Sequence, residues 1–373
     1  MTHSQDSSRP IPLVDVGREH EPIREELLRA VTRVLASGRF ILGDEVATFE
    51  AATAAYLGSG HSLGTSSGSD SLLACLMALD LEPDDEVLCP AFTFIATAGG
   101  ISRAGAKPVF ADVSPLTLDC RREDLESRIT PHTRAIVAVH LFGRCSELDP
   151  IVELANDQGL VLIEDTAQAL GASSGGRKAG TRGDAGCFSF YPTKNLGAYG
   201  DGGACVTSSP ELAERIRALR NYGWNADRSS VIEGFNSRLD EIQAAILRVK
   251  LRRLSQSVAQ RRRIAGEYRR RIAGSKHGLL GSTPQASHAY HLFVIRASNR
   301  PHLVEVLRER GIGFGIHYPV PVHLMPAYEP LGCQPGDLPV SEAAAEAIVS
   351  LPMFPELEDS EIANVADALL FSQ

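Results

Sequence analysis

Residues 187–203, CFSFYPTKNLGAYGDGG, hold a single lysine, Lys194, with aromatic residues before it and glycines after it. Phe188, Phe190 and Tyr191 are predicted to end a buried strand that Pro192 stops, because proline cannot donate to a sheet ladder. Gly197, Gly200, Gly202 and Gly203 let the chain turn tightly and approach a bound group. A lysine in such a semi-buried loop can lose its charge by desolvation, and a neutral amine adds to an aldehyde to form a Schiff base. A surface lysine in an ordinary turn is the plain alternative.

Two other stretches offer partners. Residues 64–70, GTSSGSD, lead straight into the apolar run SLLACLMAL. Small residues there leave the first N–H groups of a helix, at its positive dipole end, free to seat a phosphate. Simple N-capping by Ser67, Ser69 or Asp70 is the competing reading. Asp165 closes the apolar strand 160–165 at its carboxyl end, where ligands of parallel sheets gather. A carboxylate there either caps the next turn or contacts a ligand. Gln168 follows three residues on, toward the same region.

The elements that must position these groups alternate. Helical spacing runs through 23–35 and 46–57, and again at 125–129 and 151–158. Strands at 85–89, 107–111, 135–140 and 160–165 are apolar almost throughout. Strands without polar alternation, separated by helices, predict an α/β fold: a mostly parallel sheet covered by helices on both faces. No G-x-G-x-x-G stands at a strand-to-helix turn and no G-x-x-x-x-G-K-[ST] occurs, which disfavours a nicotinamide-dependent oxidoreductase. After a helix at 212–220 and a loop at 221–235, one long helix is expected from Asn236 through Ala259 toward Tyr268. Its arginines at 261–263 and 269–271 read as a solvated face. Character changes near 275: a strand at 290–296, a helix at 301–310, a strand starting at 313–316, an ordered loop at 317–328, and helices at 341–351 and 359–370. The expected division is a large domain over 1–250 and a small C-terminal α+β domain over 251–373.

Composition narrows the class. Of 373 residues, 43% are apolar and 22% charged, as in soluble globular proteins. A net charge of −9 argues against nucleic acid as a partner. Seven cysteines without a C-x-x-C pair read as reduced thiols of a cytoplasmic protein, with neither a metal site nor a disulfide frame. No apolar run is long enough for a membrane. The polar opening MTHSQDSSRP lacks the layout of a signal peptide and is expected to be a frayed or partner-bound arm.

Five stretches, in order, resemble one family: GTSSGSDSLLACLMAL, PAFTFIATAGGISRAGAKPVFADV, VLIEDTAQALGA, FSFYPTKNLGAYGDGGACVT and GFNSRLDEIQAAI. They are similar to the sugar aminotransferases of the DegT/DnrJ/StrS group, pyridoxal-phosphate enzymes of the aspartate aminotransferase fold (fold type I). The likeness runs from about Arg39 to Leu351, and several long motifs in order are far more specific than one.

The resemblance implies pyridoxal 5′-phosphate as cofactor, passing through its pyridoxamine form in ping-pong turnover. Lys194 matches the lysine that holds the cofactor as an internal aldimine and later moves the proton. Asp165 matches the carboxylate paired with the pyridine nitrogen, and Gln168 the residue beside the ring hydroxyl. Phe94 aligns with the aromatic that stacks on the ring. Ser67, Gly68 and Ser69 fall on the phosphate-binding turn, and Ser189 on a hydroxyl that also reaches the phosphate. Asn236 matches an asparagine supplied by the other subunit, which implies a homodimer with a shared site. Tyr191, before Pro192-Thr193-Lys194, favours a 3-keto over a 4-keto nucleotide sugar, and His317 and Tyr318 fall on a substrate-lining loop. Glutamate is the implied amino donor. Within the family the rival is a pyridoxamine-dependent dehydratase, which has His in place of the lysine. Outside it, the rival is a cofactor-bound regulator without turnover.

Overall fold

The computed structural model describes residues 9–281 and 286–373; residues 1–8, most of the expected arm, lie outside the described residues. Its centre is a seven-stranded sheet in the order β1-β9-β8-β5-β4-β2-β3. The strands are β1 (His61–Thr65), β2 (Glu86–Pro90), β3 (Lys107–Ala111), β4 (Thr133–Val139), β5 (Val161–Asp165), β8 (Ala185–Ser189) and β9 (Gly203–Thr207). Strands β3, β2, β4, β5 and β8 pair in parallel, and β9 runs against both β8 and β1. Buried side chains such as Val87, Ile136, Leu162 and Phe188 face helices on both sides, as strands without polar alternation require. Two short strands, β6 (Ser173–Ser174) and β7 (Arg177–Lys178), pair beside β11 (Ala286–Ser287). A second small sheet joins β10 (Gly278–Leu279), β12 (Phe293–Arg296) and β13 (Ile348–Leu351).

Remote carboxylates tie the layers together. Helix Asp44–Leu57 starts at Gly43, which has no capping side chain. Glu241, from helix Glu241–Leu251, supplies the cap by accepting from the N–H groups of Gly43, Glu45 and Val46 at 2.8, 3.0 and 2.8 Å. Asp112, just past β3, accepts from Val340 N–H, Ser341 N–H and the Ser341 hydroxyl, and so caps helix Pro339–Ala347. That helix therefore packs on the central sheet, and Ala344 and Ala345 join its core. Ile11, near the chain start, is buried with the C-terminal helices and bridges Ile312.

Several expectations change. The long helix starts at Glu241, five residues after Asn236, and breaks at Arg252–Arg253 into helices Glu241–Leu251 and Leu254–Arg271. Of the supposedly solvated arginines, Arg261 is only 2% exposed, because its guanidinium donates to the carbonyls of Tyr290 and Met353. The helix expected at 341–351 gives way to β13 at Ile348, where the chain pairs with β12. Residues 313–316 form no strand; Gly315 makes a single bridge to Ser350. Strand β8 ends at Ser189, before Phe190 and Tyr191.

Candidate active site

The carboxyl ends of the parallel strands and the amino end of β9 meet at one cavity of about 250 Å³. Lys194, Asp165, Gln168, Ser189, Tyr191, Phe94, Tyr318 and the turn Ser67-Gly68-Ser69 all line it. Two expected residues do not. The His317 imidazole is tied through Nδ1 to Ser350 Oγ at 2.8 Å. Asn236 is exposed and bridges Asn221 outside the cavity wall.

The turn after β1 lines the cavity and is packed closely against Ser189 and Gly203. Ser67 caps helix Gly68–Met77 by accepting from Asp70 N–H at 3.1 Å. The N–H groups of Gly68 and Ser69 are in its first turn, aimed past the cap. A Cβ on Gly68 would come within 2.5 Å of Ser189 Cβ, and one on Gly203 within 2.3 Å of Ser67 O. Both positions therefore demand glycine. Capping and the anion seat are compatible: the Ser67 hydroxyl does the first and the free N–H groups offer the second.

Asp165 ends β5 facing the cavity. Its Oδ2 accepts from Thr97 Oγ1 at 2.9 Å and its Oδ1 from Ala167 N–H at 3.2 Å. Since Thr97 donates its hydrogen to Asp165, the 2.9 Å contact with Thr93 makes Thr93 the donor to Thr97. Burial pushes the Asp165 carboxyl up, against the pull of the Ala167 N–H, the Thr97 hydroxyl and the Lys194 charge. Burial drives Lys194 down to about 8, with Asp165 opposing. Lys194 Nζ lies 3.5 Å from His291 Nε2.

Gln168 is locked. Its Oε1 accepts from Phe142 N–H at 2.7 Å and its Nε2 donates to the Tyr318 hydroxyl at 3.0 Å. Beyond these two bonds, Gln168 has a second N–H that it can present to a ligand. The bond also pins a turn in which Phe142 has φ +63° and Gly143 φ +95°, a conformation costly for phenylalanine. Tyr318 and Phe94 stand 5.5 Å apart, centroid to centroid, and Phe94 is 49% exposed.

Sequence reasoning missed Thr97, His140 and His291. Thr97 had a signal: it follows Thr93 by one helical turn in TFIAT, just beyond the end of β2. His140 ends the 135–140 strand read from the sequence but drew no functional reading. Nothing near His291 in the chain points to Lys194.

A family model described as the DegT/DnrJ/EryC1/StrS aminotransferase family matches residues 21–370. The chain is 42% identical over 362 residues to a "Pleiotropic regulatory protein" of Geobacillus stearothermophilus, covering 96% of this chain and 97% of that one. It is 44% identical over 364 residues to the dTDP-3-amino-3,4,6-trideoxy-alpha-D-glucose transaminase of Streptomyces venezuelae, covering 96% and 95%. The crystal structure of S. venezuelae DesV in complex with a ketimine intermediate superposes with a TM-score of 0.96 at 42% identity, covering 98% of this chain and 99% of that one. The chain thus belongs to the DegT/DnrJ/EryC1/StrS aminotransferase family, whose members depend on pyridoxal phosphate.

Proposed function

We propose that this protein transfers an amino group from glutamate to the 3-keto carbon of a nucleotide-linked sugar. The observation that carries the reading is the meeting of Lys194, Asp165 and the Ser67–Ser69 turn around one cavity. The residues present fit pyridoxal phosphate. The glycine-lined turn suits its phosphate, the Gln168 N–H its ring hydroxyl and the Asp165 carboxylate its ring nitrogen. When bound, the cofactor supplies an electron sink for the carbon that exchanges its amino group.

The chain's own groups do the rest. A protonated ring nitrogen would give the desolvated Asp165 carboxylate the counter-charge that burial makes it need. Lys194, with its ammonium brought down to about 8, carries a useful neutral fraction near neutral pH and can take and return a proton at Nζ. Tyr191, 53% exposed at the cavity mouth, and Tyr318 are placed to flank a sugar. The S. venezuelae relative, whose name specifies a 3-amino sugar, supports the 3-position. The exposed Asn236 and Tyr222, both outside this copy's cavity lining, support a second copy of the chain completing the site.

Purified protein loaded with pyridoxal phosphate should absorb in the visible, glutamate alone should remove that band, and a keto sugar should restore it. Lys194→Ala should abolish the band and lower turnover at least about 10⁴-fold. No band in the wild type, or full turnover by the variant, rejects the reading. The name of the Geobacillus relative favours a second reading, a cofactor-bound regulator. An unchanged spectrum with glutamate selects it.

A further inference from the structure

His291 lies beyond the family motifs read above. It comes from the C-terminal part of the chain, two residues before β12, and is only 6% exposed. Its Nε2 is 3.5 Å from Lys194 Nζ, and its Nδ1 is buried without a partner among the described residues. If Nε2 accepts, the neutral ring carries its hydrogen on Nδ1, and the bond to Lys194 has to offset the cost of that buried donor. Burial, and then the neighbouring charges of Lys194 and Arg261, push this imidazole well below its ordinary value, so it stays neutral. A neutral ring beside Nζ does not repel an ammonium and can accept one of its hydrogens at Nε2.

The backbone around His291 is held as firmly as the cavity wall. Ala289 N–H donates to Gly143 O at 2.7 Å and Leu292 N–H to Phe142 O at 3.1 Å. A Cβ on Gly143 would come within 2.6 Å of His291 N, so the close approach requires glycine. Phe142 N–H is in turn held by Gln168 Oε1. A continuous line of contacts therefore runs from Gln168, through the Phe142–Gly143 turn and residues 289–292, to the lysine amine.

We propose that His291 is a positioning residue for the lysine: its Nε2 accepts a hydrogen bond from Lys194 Nζ whenever that amine is not bonded to carbon, and holds it at the cavity wall between proton transfers. The inference rests on the role given to Lys194 above. It assigns His291 no proton of its own to move.

The test uses the cofactor-free protein. Lys194 is acylated with acetic anhydride across pH 6 to 11 and its modification followed by mass spectrometry, in wild type, His291→Leu and His291→Gln. Leucine removes the acceptor that favours the ammonium. The midpoint of Lys194 reactivity should then fall by about one pH unit, and glutamine, which restores an acceptor, should bring it back. Coincident wild-type and leucine curves, or a glutamine curve displaced as far as leucine, overturn the proposal. Should the leucine variant not fold, ¹⁵N-histidine spectra of cofactor-free wild type and Lys194→Ala decide: the His291 Nε2 resonance must differ between them, and an unchanged resonance overturns the proposal. Loading the wild type with pyridoxal phosphate separates the two readings. A visible band without any His291 effect rejects this inference alone, whereas no band rejects the role of Lys194.

Discussion

Glu164 and Asp165 are neighbours at the end of β5 and point to opposite faces of the sheet, as consecutive strand residues must. Behind the sheet, Glu164 is fully buried and saturated. It accepts from the N–H groups of Gly180, Arg182 and Gly183 at 2.7, 2.6 and 2.7 Å, and its Oε2 is 2.8 Å from His140 Nε2. His140 Nδ1 accepts from Ser146 N–H at 3.0 Å, which leaves its hydrogen on Nε2, directed at Glu164. Burial works to raise the Glu164 carboxyl, but the His140 bond and the backbone N–H groups outweigh it and hold it low. On the cavity face, Asp165 has one donor on each oxygen, and burial wins. The same chemical group is a finished structural joint on one face and an unfinished set of hydrogen bonds at the cavity on the other. The count of donors, not burial, separates them.

Breaking the finished side should cost most. Glu164→Ala leaves three N–H groups and the buried His140 without an acceptor and should lower unfolding stability by about 3–5 kcal/mol; urea titration measures this, and a loss under about 1 kcal/mol would refute the structural role. On the unfinished side, Asp165→Asn should leave the cofactor-free protein at least as stable at pH 7 while turnover drops about 10²–10³-fold. Steady-state rates beside a melting curve check both halves.

The acid limb of stability sharpens the contrast, because the two groups carry opposite signs. Glu164 contributes stability that is complete above its ordinary value of 4.5 and is lost as pH falls through its lowered one. Asp165 imposes a penalty above its raised value that acidification relieves. Acid unfolding should therefore become shallower in Glu164→Gln and steeper in Asp165→Asn.

Lys194 extends the rule to a cation. Its fall from 10.5 to about 8 means that the unfolded chain binds the extra proton between those values, so stability of the cofactor-free protein rises with pH across that window. Lys194→Met should remove the rise and add roughly 2–3 kcal/mol at pH 7, read by denaturation at pH 7 and 10. The smallest change is expected for Thr97→Val, which takes one donor from Asp165. Turnover should fall about tenfold with the fold intact; an unchanged rate would make that hydroxyl irrelevant to the carboxylate.

Local chemistry was legible in the chain. Apolar strands implied the parallel sheet, and the GTSSGSD turn, Asp165 and the lysine in its glycine-rich loop were readable because each depends on its own neighbours in sequence. What escaped depends on residues far apart. The α-helical spacing around Arg261 says which way its side chain points, but only the carbonyls of Tyr290 and Met353 make burying it tolerable. Residues 348–351 carry no separate strand signal, and β12 supplies the ladder that makes them one. By itself, then, the sequence determined the sheet, the small-residue turn after β1 and the lysine in its glycine-rich loop, since propensity and periodicity act over a few residues. Only the tertiary structure decided which carboxylate is saturated, which way Gln168 presents its amide, and that His291 meets Lys194 from 97 residues away. Those are questions of which donors and acceptors face one another, and the packing of distant segments answers them.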